Sequence, residues 1–556
     1  MKKNNFLVML MLLLLSVVLV ACNFGGEETT DEPDTSTDGS TDGTTDGDSS
    51  DGNKELNLVI ASEPPSLHPQ LATDTTSSTI MNSTHEGLMT LEDGEPVPGV
   101  AESYEMSDDQ LTYTFKLRDA KWSNGEPVTA DDFAFAWEFA LNPENASEYA
   151  SILYSIKGAE EYNLGTSTSF EDVGVKVIDE KTLEVTLTSP TPYFLELTAF
   201  KTMYPIHKAT AEENPNWFTE ADTYVGNGAF VLSQWQHAGS LTLEKNPEYW
   251  DADNVKLSKV NIEMVESETT QMTKFESGEI DFLGTNYGSI SLDAIERLKS
   301  EDKLNIVDYS GIYWYKFNTT DDVMKNENIR KALTLAIDRE GLIANITKGE
   351  QEPALGIVPN GVEGFGDDEG FFKDADYEGA KAALDAGLKE LGLSDPSELE
   401  LKLSYNTSEA HAVIAQYIQE GWNKNLGISV TLDNSEWQVY LDKLSNLDYQ
   451  IGRLGWIADY NDAYSFLEMY NSAENGNNDT GWSNAEYTEL LKQSTTETDP
   501  AARLELLKKA EEIIIAEFPV APIYFYTNLY VVQDYVSGME PDSLGNINLK
   551  DVDVTK

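Results

Sequence analysis

The sequence predicts a mixed α/β protein with more than one sheet, and three observations carry that reading. Short segments with period-two alternation recur along the chain, longer segments with helical periodicity lie between them, and the two kinds interleave. The stretch from Lys54 to Lys556, about 500 residues, is too long for one core and suits two or three domains. Lys54–Ala61 alternates and runs into Ser62, Glu63, Pro64 and Pro65, which reads as a strand entering a loop. Leu111–Leu117 is a second period-two strand. Thr129 then caps a helix over Ala130–Leu141, with Asp131 and Asp132 in its first turn, where the helix dipole favours negative charge. Leu183–Leu187 reads as another strand. Helical spacing returns over 268–277, 328–346, 377–391, 409–426 and 501–518, with strands expected at 280–283, 428–432 and 520–525.

The start of the chain has a separate logic. Lys2 and Lys3 precede Phe6–Val20, an uncharged run too short for the roughly 20 residues that cross a bilayer, so residues 1–21 read as an export signal. The run ends at Cys22, the single cysteine of the chain. Leu19, Val20, Ala21 and Cys22 resemble the bacterial lipobox, which implies that Cys22 becomes the first mature residue and carries lipid on its sulfur. An ordinary secretory signal that happens to end near a cysteine is the alternative. Residues 23–53 hold ten acids, no base and one apolar side chain, Phe24, a composition that cannot offset its ordering entropy. With Cys22 they are expected to form a lipidated, disordered acidic tether over 22–53, spanning roughly 30 Å as a flexible coil. The expected address is the extracellular face of the cell membrane.

Composition excludes several functions. The formal charge is −61, and two lysines but no acid leave with the signal, giving −63, so nucleic acid and anionic lipid would be repelled. Without a second thiol there is no disulfide framework or cysteine-based zinc site. The five histidines, His68, His85, His207, His237 and His411, show no metal-ligand spacing, and no nucleophile elbow, phosphate loop or dinucleotide fingerprint occurs. Neither a metal nor a cofactor is expected, and no catalytic residue stands out. The 26 Tyr and 10 Trp suit a surface that binds varied ligands, although most of them read equally well as core.

Several segments, taken in order, carry a resemblance. They are HEGLM with DGEPVPGVAESYE (85–105), AKWSNGEPVTADDFAFAWEFALNPENASEYAS (120–151), VGNGAFVLSQW (225–235), LEKNPEYWD (243–251), FESGEIDF (275–282), FNTT with NIRKALTLAIDRE (317–340), NLGISVTLDNSEWQVY (425–440) and GRLGWIADYNDAYSFLEMY (452–470). Together they resemble the solute-binding component of bacterial oligopeptide import systems, a large periplasmic-binding-protein-like family. The resemblance implies an α/β fold of two lobes, of the class II type, with an additional domain inserted in the first lobe. Residues 54–85, 208–310 and 526–556 would form that lobe, 86–207 the insert and 311–525 the second lobe.

The same resemblance implies a site. Asp459, in GWIADY, would pair with the α-ammonium of a peptide. Main chain near Thr73 and Thr75 on one side, and near Gly455 and Ile457 on the other, would pair with the ligand backbone, a mode that reads no side chain. Tyr149, Tyr309, Trp314, Trp437 and Trp456 are candidate pocket walls, and Arg453 and His411 would meet the ligand's carboxylate or nearby groups. Leu444 and Lys316 depart from relatives that carry arginine and glutamate there, which points to a different preference at the ligand's far end, with Lys316 taking an anionic partner. The function implied is a lipid-anchored, monomeric receptor that performs no chemistry and hands oligopeptides to the permease subunits of an ABC-type importer. A receptor of the same fold for a dipeptide, nickel chelate, sugar oligomer or peptide pheromone is the alternative. An extracellular hydrolase or a surface adhesin would need features that the sequence lacks or binding behaviour unlike a receptor's.

Overall fold

A computed structural model describes residues 54–556 apart from 93, 363 and 367–369. Cys22, the signal and the acidic tether lie outside the described residues.

Three principal sheets organise the chain. The first has four strands in the order Glu55–Ile60, Lys259–Met264, Ser240–Lys245 and Phe230–Gln236, parallel at its first pair and antiparallel thereafter. The second is an antiparallel set of four, Ala101–Met106, Thr112–Leu117, Thr182–Thr186 and Val175–Asp179. The third has seven strands. Phe282–Gly284, Val520–Val532, Asn305–Phe317 and Ile451–Ile457 are antiparallel neighbours, Glu400–Asn406 and Ser429–Ser435 add parallel pairs, and Glu352–Pro353 pairs with Val520–Val532.

Two strands of 13 residues, Asn305–Phe317 and Val520–Val532, run side by side through this third sheet. Their register shifts between Asp308 and Ile312, opposite Tyr526. An irregularity of this kind bends a ladder locally. Gly311 sits in it because a Cβ there would meet Ile457 Cδ1 at 2.4 Å. Alternate side chains of Asn305–Phe317 enter different cores: Tyr313, Tyr315 and Phe317 pack with the helices Glu327–Leu335, Tyr377–Leu391 and Glu409–Leu426, while Ile312 and Trp314 face the larger cluster.

Most expected elements form within one or two residues of their predicted ends. The helix over Ala130–Leu141 begins with a capping box in which Thr129 and Asp132 satisfy each other's backbone. The expected helix over 328–346 is instead broken into Glu327–Leu335 and Arg339–Leu342, followed by a wide turn over Ile343–Thr347. Asp338 caps the second piece by accepting from the Gly341 N–H. The buried Arg339 guanidinium takes the carbonyls of Thr334 and Ile337, which a continuous helix would need, together with Pro522 O and the Asp374 carboxylate. The expected strand at 280–283 starts later, at Phe282–Gly284. Helices Thr75–Thr84, Leu292–Ser300, Trp437–Ser445 and Ala485–Ser494 are additions to the sequence reading. Among the described residues no helix is long and apolar enough to cross a membrane.

Candidate functional site

A cavity of about 630 Å³ opens between three groups of elements. One wall is the approach to the helix Thr75–Thr84. Asp74 caps that helix, its Oδ1 accepting the Ser77 N–H at 2.9 Å. A second wall comes from Glu148, Tyr149, Phe200 and Lys201. The third is the strand Ile451–Ile457 with its continuation to Asp459, flanked by the helix Trp437–Ser445.

Asp459 follows directly on that strand. Its N–H donates to Ser465 Oγ at 2.9 Å, and the Tyr149 hydroxyl reaches its Oδ1 at 3.4 Å. Its Oδ2 is cut off from solvent and has no hydrogen-bond partner among the described residues. Burial pushes the carboxyl up to about 7, against the pull of Lys201 and the Tyr149 hydrogen bond. Glu468, close by and hydrogen-bonded by the Tyr460 hydroxyl, is pushed up to about 8 by burial and by the Asp459 charge. A carboxylate oxygen without a donor in a cavity wall calls for a donor from outside the chain.

The strand Ile451–Ile457 has one open edge. It pairs along its length with Asn305–Phe317, but its contact with Glu400–Asn406 extends only over Ile451 and Gly452. Beyond the strand, the Ala458 N–H donates to Ser310 O at 2.9 Å. Backbone groups alternate along a strand, so those of Gly455 and Ile457 turn to the opposite, open side. Gly455 is required there, because a Cβ would meet the Tyr526 hydroxyl at 2.4 Å. On the facing wall Thr73 lies before the helix, whereas Thr75 is already its first residue. The extended backbone on that side therefore ends at Asp74.

Aromatic walls complete the cavity. Tyr149 stacks on Trp456 with centroids 6.3 Å apart, Tyr309 lies 5.8 Å from Tyr526, and Trp437 opens its helix with its indole N–H buried and unpartnered. At another part of the cavity Arg453 donates to the Tyr526 hydroxyl at 3.0 Å and to Asn406 Oδ1 at 3.2 Å, over the Tyr313 ring, and its Nε has no partner. His411 lies beside Tyr313. Burial and the Arg453 charge hold its imidazole well below its ordinary value, so it is neutral.

Eleven of the twelve ligand-binding candidates thus line one cavity: Thr73, Thr75, Tyr149, Tyr309, His411, Trp437, Arg453, Gly455, Trp456, Ile457 and Asp459. Trp314 does not. It is fully buried against Tyr470, because alternation along its strand turns it with Ile312 into the larger core. Lys316 needs no anionic ligand, since its fully buried ammonium bonds Asp479 Oδ2 at 2.9 Å and the carbonyl of Asn477 at 3.0 Å. Leu444 lines the cavity. Sequence reasoning missed Asp74, Glu148, Lys201 and Asp479. Lys201 carried a signal, a lone cation in the otherwise uncharged stretch LTAFKTMYP.

Residues 95–478 match the model described as bacterial extracellular solute-binding proteins, family 5 middle. The chain belongs to this family. It is 50% identical over 550 residues to the oligopeptide-binding protein OppA of Bacillus subtilis (strain 168), with 98% of each chain covered. It superposes on Listeria monocytogenes OppA bound to peptide with a TM-score of 0.84 at 31% identity, covering 91% of this chain and 100% of that one. Against the unliganded open form of the periplasmic murein tripeptide-binding protein MppA the TM-score is 0.60 at 30% identity, covering 90% of this chain and 97% of that one. Structural neighbours of this family share its periplasmic-binding-protein-like fold, and the relatives are substrate-binding proteins.

Proposed function

We propose that this protein is an extracellular receptor for oligopeptides that binds them by their α-ammonium and backbone and delivers them to an ABC-type import permease. The observation that carries the reading is the orphaned, buried Oδ2 of Asp459 at the end of a strand whose next backbone groups face an unpaired edge. An ammonium donates to the first, and an extended chain pairs with the second. Both features are common to all peptides, so one site serves many sequences. Tyr149, Tyr309, Trp437 and Trp456 wall the side-chain space, and Arg453 with neutral His411 lies where an anionic end would be met. The site performs no chemistry, and the protein acts as a monomer.

The close superposition on the peptide-bound relative, and the poorer match to an open form, support reading the described arrangement as the closed one. The sheets support the domain division as well. The first sheet falls within 54–85 and 208–310 and the second within 86–207, while the long strands Asn305–Phe317 and Val520–Val532 run across the boundaries near 311 and 526. Lipid on Cys22 and the tether over 22–53 would hold the receptor on the outer face of the cell membrane, within reach of the permease.

Calorimetry on the part from Lys54 tests the reading. Short peptides with a free amino end are expected to bind the wild type, and N-acetylated copies much more weakly. Asp459→Ala should abolish that difference. Equal affinity of the wild type for free and acetylated peptides would refute the assignment of Asp459.

A further inference from the structure

Among the described residues, Lys201 is a cation of the cavity wall with no task in this reading. Lys201 is only 4% exposed and lines the cavity. Its ammonium lies over the rings of Phe200 and Tyr149, 4.0 and 4.4 Å from their centroids, and among the described residues no carboxylate or carbonyl pairs with it. Burying a cation with its donors unmatched is costly, so its place needs a reason. Tyr149 supplies the first part of one. The face of that ring carries the Lys201 ammonium, and its hydroxyl reaches Asp459.

Asp74 supplies the second part. It is 6% exposed and lines the same cavity, and among the described residues its Oδ2 has no partner within hydrogen-bond geometry, the Trp437 side chain exerting only a weak downward pull on the carboxyl. Burial pushes its carboxyl above the ordinary value, against the hydrogen bonds from Ser77 and the Lys201 charge. Lys201 feels Asp459 and then Asp74, although burial lowers it to about 8. Glu468 is pushed up to about 8, by burial first and then by the Asp459 charge, so it ionises less readily than Asp459. An arriving ammonium favours the ionised form of both carboxylates against burial, and two carboxylates so ionised with one resident ammonium leave a single unit of negative charge, which that ammonium would match.

We infer that Lys201 is a specificity-determining residue: it fills one of the two cation places set by Asp74 and Asp459, so the site admits a ligand with one positive charge on its first residue and disfavours one with two. The inference rests on the ammonium reading of Asp459. A second cation on the ligand would leave an unmatched positive charge among aromatic walls, where charges are poorly screened. Lys201→Met opens the second place and reverses the preference. Asp74→Asn in the same chain removes one carboxylate and restores the original balance.

The probes are two tripeptides that differ only in their first residue, norleucyl or ornithyl, side chains of equal length in which a methyl is replaced by an ammonium. The wild type is expected to bind the norleucyl peptide about tenfold more tightly. In Lys201→Met that ratio should fall at least about tenfold, and in Lys201→Met with Asp74→Asn it should return to within about threefold of wild type. Lys201→Arg, which keeps the charge, should keep the ratio. A ratio unchanged by Lys201→Met, a double variant that stays like the single one, or an Arg variant that loses the preference overturns the inference. If Lys201→Met does not fold, the Arg variant alone with Asp74→Asn decides, since Asp74→Asn must then widen the ratio against the ornithyl peptide. Failure of the ammonium reading shows separately, as equal wild-type affinity for free and acetylated norleucyl peptides.

Discussion

Two pairs of carboxylates among the described residues are opposites. At the first, the helices Glu268–Ser277 and Glu409–Leu426 meet N-terminus to N-terminus, and each donates its opening glutamate to the other. Glu268 accepts from the Ser408 hydroxyl at 2.6 Å and the Ala410 N–H at 3.2 Å, while Glu409 accepts from Ser267 Oγ at 2.8 Å and from the N–H and hydroxyl of Thr269 at 3.1 and 2.7 Å. Both acids sit where helix dipoles favour negative charge. At the second place, Asp459 and Asp74 each keep an oxygen with no donor. The same chemical group is complete at one place and incomplete at the other. The complete pair joins two parts of the chain, and the incomplete pair faces a cavity.

Substitutions break this contrast in different currencies. Asp459→Ala is expected to weaken free-amine peptides the most, by about 2 to 5 kcal/mol, the range for truncating one partner of a buried charge pair. It should not lower the melting temperature of the ligand-free protein, because the carboxylate it removes is held against burial with one oxygen unpartnered and the other at 3.4 Å from the Tyr149 hydroxyl; titration calorimetry and thermal unfolding check the two halves. Gly455→Ala forces Tyr526 aside and narrows the free strand edge. Free and acetylated peptides should then lose affinity together, by about tenfold, unlike the selective loss at Asp459. Glu268→Ala strands the Ser408 hydroxyl and the Ala410 N–H and should cost about 1 to 3 kcal/mol of stability, read by denaturant unfolding.

Acidity sharpens the contrast with the smallest shifts. Asp459 is raised from 3.8 to about 7, so its burial weighs against the ligand-free fold above about pH 7, and that weight is lifted as pH falls toward 4. Affinity for a free amine should fall over the same window, because the ionised carboxylate is lost. Glu409 has the reverse sign. Its hydrogen bonds from Thr269 and Ser267 hold it below its ordinary value, so its contribution is present above pH 4.5 and disappears as pH drops through the lowered value. Thermal unfolding of Asp459→Asn and Glu409→Gln from pH 8 down to about 3 separates the two.

How much of this was legible in the sequence depended on range. Local rules found the Thr129 cap and most strands, since periodicity and capping act over a few residues. The motif GRLGWIADY delivered Arg453, Gly455, Trp456, Ile457 and Asp459 together because one strand presents them all. Trp314 misled because period-two alternation says that neighbours face apart but not which side is the cavity. The break near Asp338 was hidden for another reason, since the long-range grip of Arg339 on Pro522 O depends on the fold. Asp74 and Lys201 lie 127 positions apart, so only the folded chain shows that they share a cavity.

The unpaired side of the strand Ile451–Ile457 has a final consequence. A bare row of amides and carbonyls will join any extended polypeptide, including a partly unfolded copy of the same protein, and such edges seed fibrils when they lie on an outer surface. Here the row sits inside a cavity with aromatic rings on its flanks, so self-association through it is sterically shut off. The recess that receives a guest chain is also the shield that keeps the protein from stacking on its own kind.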